Sequence, residues 1–473
     1  MRRLQYGTSA AGRLGLLTGL AMIGLAACEP DSAILLPFSE RSPPEGDEWR
    51  LVARIAHITD THVVDEESPA RFAGAQALFN SAWRPHEAYS AQLLDGIVRT
   101  INRLHASGRT IDFVLHTGDA CDNAQGNELR WFLSVMDGRA VNPLSGPDDR
   151  PPALLPPAAL DPHATFTPQG LYRQGRHGHL PSIPWYITPG NHDCFGIGVF
   201  AIFEDFFGRR TAPLPFPQRP GVLLPNVLDP TGWLAHGNVT PAQPGPPCLL
   251  ELPRFVVPNP ERAYFDKREF VQALFSTETP PSGHGYETPG GPTWYSVAPA
   301  PGLRLLGLDT CEPAWRLEGF PYQDGSLSAA QVAFLRAELA AAGERGELVV
   351  VASHHPSSSL WEGYGSAVTG GAFRELLNSH PNVILHLAGH SHRNRVADRG
   401  GYLEIETCST LDAPQQGRLL EIRRRESTGE VHIQYGMFSH LDSDLPPLGD
   451  DPLRGLREEA WRIATRQENE SPH

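Results

Sequence analysis

The chain has 473 residues, 40% hydrophobic and 20% charged, an ordinary globular composition that excludes general disorder. Its formal net charge of -15 disfavours a nucleic-acid partner, which needs a basic footprint. Bound divalent cations would still offset that charge locally.

The first element is a targeting segment. Arg2 and Arg3 supply a positive start, and residues 14–27 form a short apolar run. This is a secretory pattern, too short for a convincing membrane span. The run ends Leu25-Ala26-Ala27-Cys28, which resembles a bacterial lipoprotein box. Residues 1–28 are therefore expected to be a lipoprotein signal peptide, with Cys28 lipidated as the new N-terminus. The expected location is outside the cytoplasm, anchored to a bacterial membrane and facing the periplasm or exterior. Residues 29–49 are polar and Pro-bearing and are expected to be a tether. Five cysteines follow Cys28. Export permits disulfides, but five is odd and spacing does not fix their connectivity.

The folded part starts at about residue 50. Apolar runs predict strands over 51–59, 111–116, 183–188, 305–308, 348–353 and 383–387. Leu93, Ile97, Ile101 and Leu104 share one face of a predicted helix. A second helix follows a capping box, Ser328-x-x-Gln331, with Val332, Leu335 and Leu339 inward. A third is predicted over 372–378. Strands alternating with helices argue for an α/β sheet. Residues 142–181 and 212–302 interrupt the rhythm with Pro and Gly. They read as insertions that wall the site and select substrate. Strand-like runs return at 402–406, 418–423 and 431–435. A tail from 443 to 473 carries one amphipathic helix with Leu453, Leu456 and Ile463.

Five polar clusters each follow an apolar run, where α/β sheets bind ligands. They read Asp60-Thr61-His62, Gly118-Asp119-Ala120-Cys121-Asp122, Gly190-Asn191-His192-Asp193, His354-His355-Pro356 and Gly389-His390-Ser391-His392. Imidazole and carboxylate donors suit Zn, Mn, Fe or Co better than Ca or Mg. If the backbone stays extended, Asp60 and His62 lie on one side, and so do His390 and His392. Glycines 118, 190 and 389 permit sharp turns.

In order and spacing, the clusters resemble the signature of the calcineurin-like metallophosphoesterases, over residues 55 to 394. The resemblance implies a four-layer αββα sandwich, here with long Pro/Gly-rich insertions, over residues 50–442. It implies two transition-metal ions, divalent or trivalent, whose identity is open. Asp60, His62 and His392 would hold the first, Asp119 would bridge, and Asn191, His354 and His390 would complete the second. His192 would be a non-ligand histidine facing the phosphoryl group. Asp122, Asp193 and His355 would orient ligands, His355 alternatively facing substrate. A hydroxide held between the metals would attack phosphorus.

Blander readings apply elsewhere. His57, His86, His116, His386 and Asp309 read as structural. Cys121 lies inside the second cluster, at a position the family does not use as a ligand. Arg393 and Asn394 could touch phosphate. The expected reaction is hydrolysis of a small-molecule phosphoester. The His354-His355-Pro356 and Gly389-His390-Ser391-His392-Arg393-Asn394 segments resemble those of cyclic-nucleotide and glycerophosphodiester members of that family, which implies a phosphodiester, with a phosphomonoesterase or nucleotidase as the alternative. A non-catalytic scaffold would have lost ligands, and no cluster here is broken.

Overall fold

The computed structural model describes residues 48–68, 84–146, 160–199, 202–204, 210–211, 259–311, 324–361 and 366–470. The signal peptide with Cys28, the tether up to residue 47, and parts of both expected insertions (147–159 and 212–258) lie outside the described residues.

Two mixed sheets form the centre. The first runs β13-β12-β1-β2-β3. It comprises β1 (Trp49–Ile58), β2 (Phe113–His116), β3 (Trp185–Ile187), β12 (Gln416–Arg425) and β13 (Val431–Ser439). The second runs β10-β11-β9-β8-β7-β6. Its strands are β6 (Tyr295–Ala300), β7 (Leu303–Gly307), β8 (Leu348–Ala352), β9 (Val383–Ala388), β10 (Arg395–Asp398) and β11 (Leu403–Glu406). β1, β2 and β3 are mutually parallel, as are β7, β8, β9 and β11. A two-stranded ribbon, β4 (Phe203–Glu204) with β5 (Arg210–Thr211), stands apart.

Helices cover the outer faces: α1 (Ser90–Ala106) and α2 (Gly126–Asp137) on one side, α4 (Ala329–Glu344) and α5 (Gly370–Asn378) on the other. The short α3 (Lys267–Ala273) and the C-terminal α6 (Arg454–Glu470) complete the set among the described residues. This is the expected four-layer sandwich. Strand periodicity explains it. In the second sheet Leu305, Val350, Leu385 and Ile405 join the core shared with Ile55 and Ile58 of β1. Their neighbours Leu306, Val349 and Val351 turn outward to Leu335, Leu339, Phe373 and Leu377 of α4 and α5. Successive residues of a strand point to opposite faces, so a run apolar throughout needs cover on both.

Several details differ from the sequence reading. Ser328 caps α4 by accepting from Gln331 N at 3.3 Å, but Gln331 does not complete the capping box. Its side chain instead holds both backbone groups of Asp309, at 3.0 and 2.6 Å. The stretch 259–302 carries α3 and β6, and β6 pairs antiparallel with β7 at the sheet edge. Helix α2 had no start signal, because its N-cap Gln125 makes no side-chain cap. The tail helix α6 packs Leu456, Ala460 and Ile463 against Tyr89, Leu93 and Leu411. No described helix is long and apolar enough to cross a membrane.

Leu385 is fully buried between the sheets. Leu385→Ala should destabilise the protein by about 2–5 kcal/mol, read as a lower urea midpoint at unchanged slope.

Candidate metal centre

The five clusters follow β1, β2, β3, β8 and β9 at their carboxyl ends, and the packed sheets bring those ends together. Backbone bonds tie the loops. Asp60 N donates to Gly118 O, and His62 N to Asp119 O, each at 3.0 Å. The two sheets are joined when His354 Nδ1 meets Thr117 O at 2.8 Å and His390 N donates to Asp60 Oδ2 at 3.0 Å.

The backbone here is not extended, which corrects the expectation for Asp60-x-His62 and His390-x-His392. Asp60, His62, Asp119, His390 and His392 have φ of 50, 41, 56, 67 and 55°. These are left-handed conformations, costing of order 1–3 kcal/mol each unless the surroundings enforce them. The side chains converge because the chain alternates handedness. The glycines also serve differently than expected. Gly118 has φ of 96° and meets the turn requirement. Gly190 and Gly389 are needed for close approach, since a Cβ would lie 2.1 Å from Asp119 Oδ1 and 2.0 Å from Thr59 Oγ1.

The donor atoms point inward at metal-like spacings. His62 Nε2 and His392 Nε2 are 3.1 Å apart, and His392 Nε2 is 3.2 Å from Asp60 Oδ1. His62 Nε2 lies 3.8 Å from Asp60 Oδ1 and 3.7 Å from Asp119 Oδ2. On the other side of Asp119, His354 Nε2 is 3.1 Å from Asp119 Oδ2 and 2.9 Å from Asn191 Oδ1. Ligands about 2.0–2.2 Å from one ion are separated by about 3 Å. His390 stands beside His354 and His355, with donor atoms of all three within 4.8 Å.

Outer contacts set which atom each ring presents. His62 Nδ1 is 2.8 Å from Asp122 Oδ1, His392 Nδ1 is 2.6 Å from Asp412 Oδ2, and His354 Nδ1 faces Thr117 O. With Nδ1–H directed outward, all three leave Nε2 as a donor to a cation. Asn191 Nδ2 donates to Gly198 O at 2.9 Å, which turns its Oδ1 inward. The residues present therefore fit two transition-metal ions.

Electrostatics agrees. Burial raises the Asp60 carboxyl's pKa, but His392 and His62 outweigh it and hold the group well below the usual carboxylate range. Burial depresses His392, yet Asp60 and Asp412 push it up to about 10. Likewise Asp119 carries His354 up to about 9 against its burial. The buried carboxylates demand positive charge, which metal ions supply.

Other assigned residues serve the frame. Asp193 accepts from Gly190 N, Ala120 N and Cys121 N at 2.9, 3.2 and 2.9 Å, so it holds backbone rather than a side chain. His355 Nδ1 meets Thr310 Oγ1 at 2.8 Å. His192 donates its backbone N to Asp119 Oδ1 and its Nδ1–H to Asp122 O, at 2.8 and 2.7 Å. Burial lowers its pKa to about 4. His57, His86, His116 and His386 are buried and bonded to Thr117, Leu411, Thr61 and Ser353. Asn394 is tied to Gln416, Cys408 and Arg418.

Two residues escaped the sequence reading. Asp412 lies in an irregular segment 20 positions after His392 and supports its ring. Arg84, 1% exposed, bridges Asp412 Oδ1 at 2.7 Å and Asp122 Oδ1 at 3.2 Å. One guanidinium thus braces the supports of both His62 and His392. Neither residue sits in a motif, so no local pattern could have found them. Asp412→Asn should weaken metal affinity or activity about 10–100-fold, read by metal titration with circular dichroism unchanged.

The model of the calcineurin-like phosphoesterase family matches residues 53–306, more than half of the chain. No curated protein sequence matches. Similar solved structures include a dimetal phosphatase from Danio rerio, 14% identical over 81% of this chain and 99% of that one, TM-score 0.36. GAP50, the anchor in the inner membrane complex of Plasmodium, is 10% identical over 88% and 95%, TM-score 0.32. A putative 5'-nucleotidase from Staphylococcus aureus is 11% identical over 87% of this chain and 57% of that one, TM-score 0.34. With its motifs assembled at one edge of the sandwich and the family model matching more than half of its length, the chain belongs to the calcineurin-like phosphoesterases and is a metal-dependent phosphoester hydrolase.

Proposed function

We propose that the protein hydrolyses phosphodiesters at this centre. Asp60, His62 and His392 would hold one ion, and Asn191, His354 and His390 the other, with Asp119 between them. When bound, the two ions supply Lewis acidity, a template for the phosphoryl oxygens and an acidified water.

The chain's own residues do the rest. His192 spends its Nδ1–H on Asp122 O, so Nε2 is left for substrate. Burial keeps the ring neutral, and an anionic phosphoester beside it would draw a proton to Nε2. From there it would stabilise the phosphoryl charge or protonate the leaving oxygen, an effect worth about 10²–10⁴-fold. Gly198 makes room for the ring itself, because a Cβ there would lie 2.3 Å from Nε2.

The observation that carries the diester reading is charge. Arg84, the guanidinium built into the centre's frame, is committed to Asp122 and Asp412. A diester carries one negative charge where a monoester carries two, so it needs less extra countercharge. We also propose that the enzyme works outside the cytoplasm, tethered through Cys28. The support is the sequence Leu25-Ala26-Ala27-Cys28 after an apolar run.

With Mn²⁺ added, bis-(p-nitrophenyl) phosphate should turn over with higher kcat/KM than p-nitrophenyl phosphate. The reverse order would favour the monoesterase, and turnover of neither by metal-loaded protein would sink the enzyme. His192→Ala should lower kcat by about 10²–10⁴-fold while metal content stays near two ions per chain; loss of metal would instead make His192 a ligand.

A further inference from the structure

Behind the metal centre lies a second cluster that the hydrolysis does not use. Cys194, Asp309 and Cys311 bring their side-chain donor atoms within 4.8 Å of one another. Cys194 is half-buried and Cys311 is buried. The two sulfurs lie within 4.8 Å of each other, packed beside Phe195.

A third metal is the first reading to weigh, and the carboxylate argues against it. Asp309 Oδ2 already takes Lys267 Nζ at 2.6 Å and Thr293 Oγ1 at 2.5 Å. Its Oδ1 accepts from Cys311 N at 2.9 Å. A cation would have to displace the ammonium, and two sulfurs alone fall short of a four-ligand structural zinc site. The thiols themselves face each other.

We propose that Cys194 and Cys311 form a disulfide that pins the loop carrying Asn191 and His192 to the end of β7. The pairing joins the first sheet's third cluster to the second sheet. The loop is short and self-bonded: Phe195 N donates to Asn191 O at 2.9 Å and Asn191 Nδ2 to Gly198 O at 2.9 Å. A covalent anchor at Cys194 therefore restrains the amide oxygen aimed at His354 and the ring of His192.

The oxidation needs an external disulfide, such as oxidised glutathione. Cys194, the more accessible thiol, loses its proton and attacks one sulfur of that disulfide. The external S–S bond breaks, one external thiol leaves, and a mixed disulfide remains. Cys311 then loses its proton and attacks the Cys194 sulfur, expelling the second external thiol. Two protein thiols are oxidised, one external disulfide is reduced, and the two protons end on the released thiols. Burial pushes the Cys311 thiol well above its ordinary range, and the Lys267 ammonium offsets that only in part, so Cys194 is the thiol that reacts first.

The test uses the full chain, incubated with oxidised glutathione, unfolded in iodoacetamide and digested without reductant. Mass spectrometry should find one peptide pair joined through Cys194 and Cys311, two hydrogens lighter than the sum, with Cys121 and Cys408 alkylated. A phosphine reductant should lower Tm by a few degrees, and that shift should vanish in Cys311→Ser. The linkage is read on the unmutated chain, so the test holds even if the variant does not fold. Alkylation of both cysteines, or Cys194 joined to any other cysteine, would overturn the proposal. So would zinc held by the pair and released on thiol blocking. A linked protein whose Tm ignores reductant would overturn the pinning.

Discussion

Two carboxylates that have almost no contact with water govern this molecule. Asp60 is 0% and Asp119 1% exposed, and one oxygen of each lies within 4.8 Å of the other and of His354 Nε2. Burying such charges costs several kcal/mol apiece unless positive charge and hydrogen bonds compensate. Their neighbours answer that need. Thr59 Oγ1 and His390 N donate to Asp60, and His192 N donates to Asp119. The ring nitrogens of His62, His354 and His392 surround both. A metal centre is the arrangement in which this concentration of charge becomes useful.

The sandwich exists around that concentration. Parallel strands from two sheets end at one edge, so five loops from distant parts of the chain meet there. Their backbones turn left-handed at five of the seven candidate ligands. Such conformations persist only where tertiary contacts over-determine them. Here the bonds from Asp60 N to Gly118 O and from Ser409 Oγ to Asp60 O do so. Gly190 and Gly389 let the loops approach to distances that a Cβ would block.

Support for the ligands is distributed in the same way. His392 leans on Asp412, His62 on Asp122, and Arg84 connects both carboxylates. The network ties the loop after β1, the segment before α1 and the irregular run before β12 into one frame. On the opposite flank, Asp309 and Gln331 tie the end of β7 to α4. Positioning of the donors thus depends on residues outside their own clusters.

The layers and the clustering of donors were legible in the sequence because their causes are local. Runs such as 348–353 and 383–387 are apolar throughout, which only a doubly covered strand tolerates. The clusters ending those runs name their own chemistry. Where the cause was not local, the sequence was silent or misleading. Extended backbone was a fair expectation for Asp60-x-His62, yet contacts across the two sheets impose left-handed turns. Gln331 fits a capping box, yet Asp309 competes for it with two backbone groups. Arg84, Asp412 and the pairing of Cys194 with Cys311 carry no signature of their own. Sequence by itself determined which donors this chain owns and which strands end beside them. Only the packing of one sheet on the other decided how those donors turn and what braces them, because both are set by contacts between residues from 20 to 330 positions apart.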